Sequence, residues 1–257
     1  MRILKLFNID SVSIVGCGGI GSWLIPPLCR FLAAERFEGS VNLWDGDHYE
    51  AKNAARQNFL RCDVSRNKAE AMADDLSDSL PKLQLCSLPF FVLAANIDQA
   101  VPENGLVITA VDNHPARVLI DRFAQGRNDV AVISAQNAMY DGSAYVYVRG
   151  NGEDATQPLL ERYPALADIR RGDRAGMGCE DLVEAGETQL LVTNHMAACC
   201  AFAAFHMLVT HGERDIRTGK PRIAVPQEIF FDIRTGAMRM DEARALATAG
   251  GEEGTSV

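Results

Sequence analysis

The 257-residue chain carries 25 Lys and Arg against 34 Asp and Glu, a net charge of −9, which argues against a general nucleic-acid or anionic-membrane binder. With 47% hydrophobic and 23% charged residues it is neither disordered nor collagenous. At this length about 70–75% of the unfolded surface is buried on folding, so no disulfide or metal staple is required.

In chain order, the N-terminal MRILKLFNID holds no apolar run long enough for a signal peptide. Residues 11–15 (SVSIV) read as a strand that runs directly into GCGGIGS. Gly16, Gly18 and Gly21, with Gly19 between them, thereby take the G-x-G-x-x-G spacing at a strand-to-helix turn. Glycines let the backbone approach a phosphate, and a helix over 20–35 would offer free N–H groups and a positive dipole end. The fingerprint alone specifies a nucleotide and nothing finer. A second strand, 41–44, ends at Asp45, where a carboxylate can accept hydrogen bonds from ribose hydroxyls. To this point a nicotinamide-dependent dehydrogenase fits as well as any other reading.

Between residues 52 and 68 the sequence places five basic side chains (Lys52, Arg56, Arg61, Arg66, Lys68) and one acidic one, Asp63. Such a cluster is either a solvated face laced with salt bridges or an anion site for a triphosphate. Next come a helix over 66–79, a strand at 83–88, a strand at 106–111 and a helix over 114–125. The strand at 106–111 runs into Asp112-Asn113, at the carboxyl edge of the sheet where open α/β folds bind ligands. Either residue could cap the following helix, and Asp112 could hold Mg²⁺ beside phosphates. Strands at 130–134 and 144–148 are too close in sequence for a helical crossover and should be antiparallel. The pattern predicts an α/β, Rossmann-like, mostly parallel sheet with antiparallel strands on its C-terminal side.

From 150 to about 187 the chain is polar and reads as a long crossover loop with at most short helices. Residues 188–210 form a nearly all-apolar helix, read as a core element whose most apolar stretch, 196–205, is about half a membrane span. His195 and Cys199 share a face of it and read as buried core residues. A final strand at 228–233 ends in the turn Arg234-Thr235-Gly236, and 249–257 reads as a disordered tail behind a single domain, 1–248. The seven cysteines are odd in number and contain no Cys-x-x-Cys pair, which suits reduced thiols in a cytoplasm and predicts no structural zinc.

The run DGDHYEAKNAARQ, with Asp45, Asp47, Asn53, Arg56 and Gln57, resembles the D-x-D then N-x-x-R-Q signature of the ThiF/MoeB/ubiquitin-activating superfamily. Lys68 and the Asp112-Asn113 pair fall at that family's next two ATP-site positions, and FFDIRTG resembles the end of its domain. Within the superfamily the short N-terminus and crossover look most like the ThiF-type proteins of bacterial PRTRC gene systems. The resemblance implies adenylation: the C-terminal carboxylate of a small ubiquitin-like β-grasp protein attacks the α-phosphate of ATP and expels pyrophosphate. By the same resemblance Arg56 and Lys68 neutralise phosphates, Asn53 and Gln57 orient them, Asp45 binds ribose and Asp112 holds Mg²⁺. A homodimer is implied too, because relatives bury the apolar crossover helix in one.

Two departures bear on the site. Relatives often carry an N-terminal helix whose arginine reaches the partner's active site, for which Arg2 is a weak substitute. Cys179, in GMGCEDL, lies where some relatives place an acyl-accepting or persulfide thiol, but Glu180 and Asp181 would raise its pKa unless Arg170, Arg171 or Arg174 compensates. It is either catalytic or structural. The rivals to β-grasp adenylation are adenylation of a small or tRNA-borne carboxylate, and a pseudoenzyme that binds nucleotide or partner without turnover.

Overall fold

The computed structural model describes residues 9–167, 191–211, 213–214, 221–222 and 226–242. Cys179, Arg2, the crossover beyond residue 167 and the tail from 249 lie outside the described residues.

Five parallel strands make the centre of the sheet: β1 (Ser11–Val15), β2 (Ser40–Trp44), β3 (Gln84–Leu88), β4 (Gly105–Thr109) and β5 (Val130–Asn137). β6 (Asp141–Gly150) turns back antiparallel on β5, as the short connection requires, and β7 (Glu153–Asp154) pairs with it. β8 (Glu213–Arg214) and β9 (Pro221–Arg222) form a separate ribbon. β10 (Pro226–Asp232) and β11 (Ala237–Glu242) complete the edge, giving the order β11-β10-β6-β5-β4-β1-β2-β3. The order reverses between β1 and β4, the place where open α/β sheets form a ligand crevice.

α1 (Gly21–Ala34), α2 (Lys68–Ser77) and α6 (Leu191–His211) cover one face; α3 (Ile97–Ala100) and α4 (His114–Ala124) cover the other, with α5 (Leu159–Arg162) beside α4. β1 and β4 are buried on both faces, so their sequences read as unbroken apolar or small runs rather than as alternation. In α1 the side chains of Leu24, Ile25, Leu28 and Leu32 are essentially wholly buried, each contributing about 1.5–3 kcal/mol of burial energy.

The structure corrects several sequence expectations. β4 ends at Thr109, not 111; the backbone N–H of Ala110 still bonds to the Val15 carbonyl at 2.8 Å, but Asp112 stands beyond the ladder. A further strand, β11, follows the turn at 234–236, so β10 is not the last. α6 is apolar over Leu191–Thr210, long enough by composition to cross a membrane, yet Ala197, Ala201, Ala204, Phe205 and Leu208 are buried against the sheet and α1. Cys199 is exposed rather than core, and His195 is half-buried against the Trp23 ring, 3.7 Å between centroids.

The turn from β1 into α1 admits no side chains at two positions. Gly16 has φ +100° and packs on the Ala110 carbonyl, and a Cβ on Gly21 would lie 1.9 Å from the Gly16 carbonyl oxygen. Gly21→Ala is expected to destabilise the fold by about 1–3 kcal/mol or more, read as a lowered urea midpoint.

Candidate active site

A cleft of about 830 Å³ opens at the carboxyl ends of the parallel strands. Its proximal half is lined by the turn at Gly16, Gly18 and Gly19, by Asp45, Asp47, Arg56, Gln57 and Lys68, and by residues 90–94 and 110–115. Its distal half runs over β5, β6, β10 and β11, with Gln136, Asn137, Ser143, Glu228 and Arg239.

The proximal half is built on short backbone ties. Asp45 is buried; its two carboxylate oxygens accept from the N–H groups of Cys17 at 2.7 Å and Asp47 at 2.9 Å, joining the glycine turn to the end of β2. Burial pushes the Asp45 carboxyl up from its ordinary range, with the Lys68 charge and the two N–H donors pulling it back. Each oxygen keeps a second lone pair for a ligand hydroxyl. Asn67 caps α2 by accepting from Ala69 and Glu70 N–H, and its amide donates to the carbonyls of Asp45 at 2.9 Å and Asp47 at 3.0 Å. That cap delivers Lys68 to the cleft, where its buried ammonium lies 3.2 Å from the Asp47 carboxylate.

The basic segment divides between its two sequence readings. Lys52 pairs with Glu50 on the protein surface, and the half-exposed Arg66 pairs with buried Asp63 and exposed Asp74. Arg56 and Lys68 instead turn inward and line the cleft.

Asn53 and Gly21 are not among the cleft-lining residues. Asn53 is fully buried and its side-chain oxygen accepts from the Glu50 N–H at 3.0 Å, shaping the 3-10 turn Ala51–Ala55 that presents Arg56. Gly21 serves close packing, as above. Gln57 packs on Gly18, and its side-chain oxygen is buried with no hydrogen-bond partner among the described residues. Asn113 caps α4 by accepting from Ala116 N–H at 3.0 Å, which leaves the exposed carboxylate of Asp112 beside it at the cleft. Among the described residues no group of three or more His, Cys, Asp or Glu could hold a metal ion. A single carboxylate that shares an ion with phosphates and water is, however, an arrangement Mg²⁺ accepts.

Three residues were missed by the sequence reading. Asn67 carried a legible signal, an Asn just before a helical run. Asn194 donates to the Arg56 carbonyl at 3.3 Å and packs on Gly19, a buried polar residue in the first turns of an apolar helix. Arg117 lies on the buried face of α4, where a charge amid apolar spacing was the available clue.

Chemically, the proximal half offers an anion the backbone of the glycine turn at Gly18 and Gly19 and the positive dipole end of α1, together with two cations. The unpartnered Gln57 oxygen and the ribose-competent Asp45 suit a nucleotide in the same place.

The ThiF family model matches residues 2–243. The chain is 28% identical over 139 residues to the tRNA threonylcarbamoyladenosine dehydratase of Escherichia coli (strain K12), covering 53% of this chain and 50% of that one. It is 26% identical over 185 residues to the adenylyltransferase and sulfurtransferase MOCS3-1 of Zea mays, covering 68% and 38%. With the SAMP-activating enzyme E1 of Haloferax volcanii it shares 31% over 112 residues, 43% and 39% of the two chains. The chain thus spans half or less of the length of these relatives. In fold it is similar to E. coli MccB solved with ATP, at TM-score 0.63 and 20% identity over 95% of this chain and 66% of that one.

Replacing Asn53 by Ala strands the Glu50 N–H and is expected to cost about 1–3 kcal/mol in stability. Because Arg56 rides on the same turn, weaker ATP binding by calorimetry should accompany the loss.

Proposed function

The chain belongs to the ThiF family, and on that premise we propose that it adenylates a carboxylate with ATP, the acceptor being the C-terminal carboxylate of a small ubiquitin-like β-grasp protein. One observation carries the reading: the glycine turn that leads into α1, Asp45, Arg56, Lys68 and Asp112 all line one cleft.

In the proposed reaction a carboxylate oxygen attacks the α-phosphorus, the bond from that phosphorus to the bridging oxygen breaks, and acyl-AMP and pyrophosphate leave. An anion must approach a polyanion, so the chain's task is to cancel charge and align the reactants in line. Arg56 and Lys68 neutralise phosphate oxygens, the backbone of the glycine turn before α1 cradles them, and Asp45 holds the ribose. Asp112 would hold Mg²⁺, which when bound draws negative charge from the phosphates. No side-chain base is needed, because the nucleophile is already ionised. The polar distal half, with Gln136, Asn137, Ser143 and Glu228, suits an extended peptide tail that presents its terminus to the nucleotide. At about 830 Å³ the cleft stands near the top of the roughly 300–1,000 Å³ range of ligand pockets, room for two reactants.

The relatives support the reaction class: the maize relative is named an adenylyltransferase and the Haloferax relative an activating enzyme for SAMP. The E. coli dehydratase acts on a tRNA base, but a chain of net charge −9 is ill suited to tRNA.

The test is ATP–pyrophosphate exchange with and without a β-grasp protein encoded nearby. Partner-dependent exchange is expected, falling about 10²–10³-fold in Arg56→Ala or Lys68→Ala. ATP binding without exchange under any carboxylate would instead make the protein a nucleotide-binding module.

A further inference from the structure

Arg117 is 4% exposed and lies in the floor of the cleft. One terminal nitrogen donates to Ser134 Oγ at 2.8 Å and reaches Thr109 Oγ1 at 3.5 Å. The other donates to the Ala135 carbonyl at 2.6 Å and to the Val111 carbonyl.

These acceptors occupy a particular place. Thr109 and Ser134 are the last paired residues of β4 and β5, and their hydroxyls meet at 3.0 Å. Beyond them the ladder stops, and the two chains proceed to Asp112 and Gln136, both on the cleft. The guanidinium therefore stands in for the missing rungs, tying the residue before Asp112 to the residue before Gln136. From the opposite side the N–H bond of Ala110 to the Val15 carbonyl extends the hold on β4 by one residue. The arginine fork thus holds Val111, the residue from which the chain enters Asp112.

We propose that Arg117 is a positioning residue, whose fork on the Val111 and Ala135 carbonyls sets where the Asp112 carboxylate meets a metal–triphosphate. The inference rests on the function proposed above and adds a residue to it. Burying a cation is costly, and a purely packing role at this site would be served as well by an apolar side chain. A lysine cannot replace it, since one ammonium lacks the planar fork needed to reach two carbonyls and two hydroxyls together.

The experiment uses Mn²⁺ as the metal probe, titrated by electron paramagnetic resonance against the full chain saturated with a non-hydrolysable ATP analogue. Thermal melting and analogue binding in EDTA are measured alongside. Arg117→Lys is expected to melt below wild type while remaining folded, and to bind the metal-free analogue normally. Its Mn²⁺ midpoint should rise about tenfold, the low end of what loss of outer-shell support costs. Asp112→Ala should show a similar rise, and the double variant no further one, because the arginine acts through Asp112. An unmoved midpoint in Arg117→Lys, or additive effects in the double variant, overturns the proposal. Should Arg117→Lys fail to fold, Arg117→Gln, which keeps an amide donor but cannot span both carbonyls, should shift the midpoint in the same direction; no shift there overturns it equally. A wild-type chain that binds no ATP analogue removes the proposed function itself, and this inference with it.

Discussion

The cleft depends on the close backbone contact between the β1–α1 turn and the end of β4. Gly16 lies on the Ala110 carbonyl and Gly21 on the Gly16 carbonyl, at separations that leave no room for a methyl group. That contact aims the start of α1 into the crevice where the strand order reverses, so the positive dipole end points toward the cleft. Had the turn been wider, the helix would still have packed on the sheet, but its N-terminus would have faced elsewhere.

Charge is arranged around this contact in layers. Asp45 ties the glycine turn to β2 through two backbone N–H groups, Asn67 ties β2 to α2, and Asn194 ties α6 to the carbonyl of Arg56. Each polar side chain is spent on backbone, leaving the cations to face the cleft. Lys68 and Arg56 are both largely withdrawn from water, where their field is less screened than on the open surface. Holding them there before any ligand arrives lowers the reorganisation needed when a triphosphate binds.

Much of this was legible in the residues. The glycine spacing, the strand preceding it, Asp45 and the inward pair Arg56 and Lys68 follow from local pattern, and the structure brings them together. Asn53 illustrates the limit: motif position groups it with Arg56 and Gln57, whereas its buried oxygen in fact serves the turn that carries them. β11 escaped notice because AMRMDE is short and charged, and its alternating Met238 and Met240 are exposed on an edge strand and add nothing to the core. Arg117 and Asn194 were missed for a different reason. Both are polar residues on the buried faces of helices, and partners such as Ser134, Ala135 and the Arg56 carbonyl lie on other elements, which periodicity cannot reveal.

The central claim is that one cleft aligns a triphosphate with a carboxylate. A crystal structure of the chain with ATP and Mg²⁺ tests it most directly. The account predicts the phosphates between the start of α1 and the side chains of Arg56 and Lys68, the ribose on Asp45, and the α-phosphorus open toward Ser143 and Glu228. Phosphates bound away from both cations, or an α-phosphorus walled off from the distal half, would contradict it.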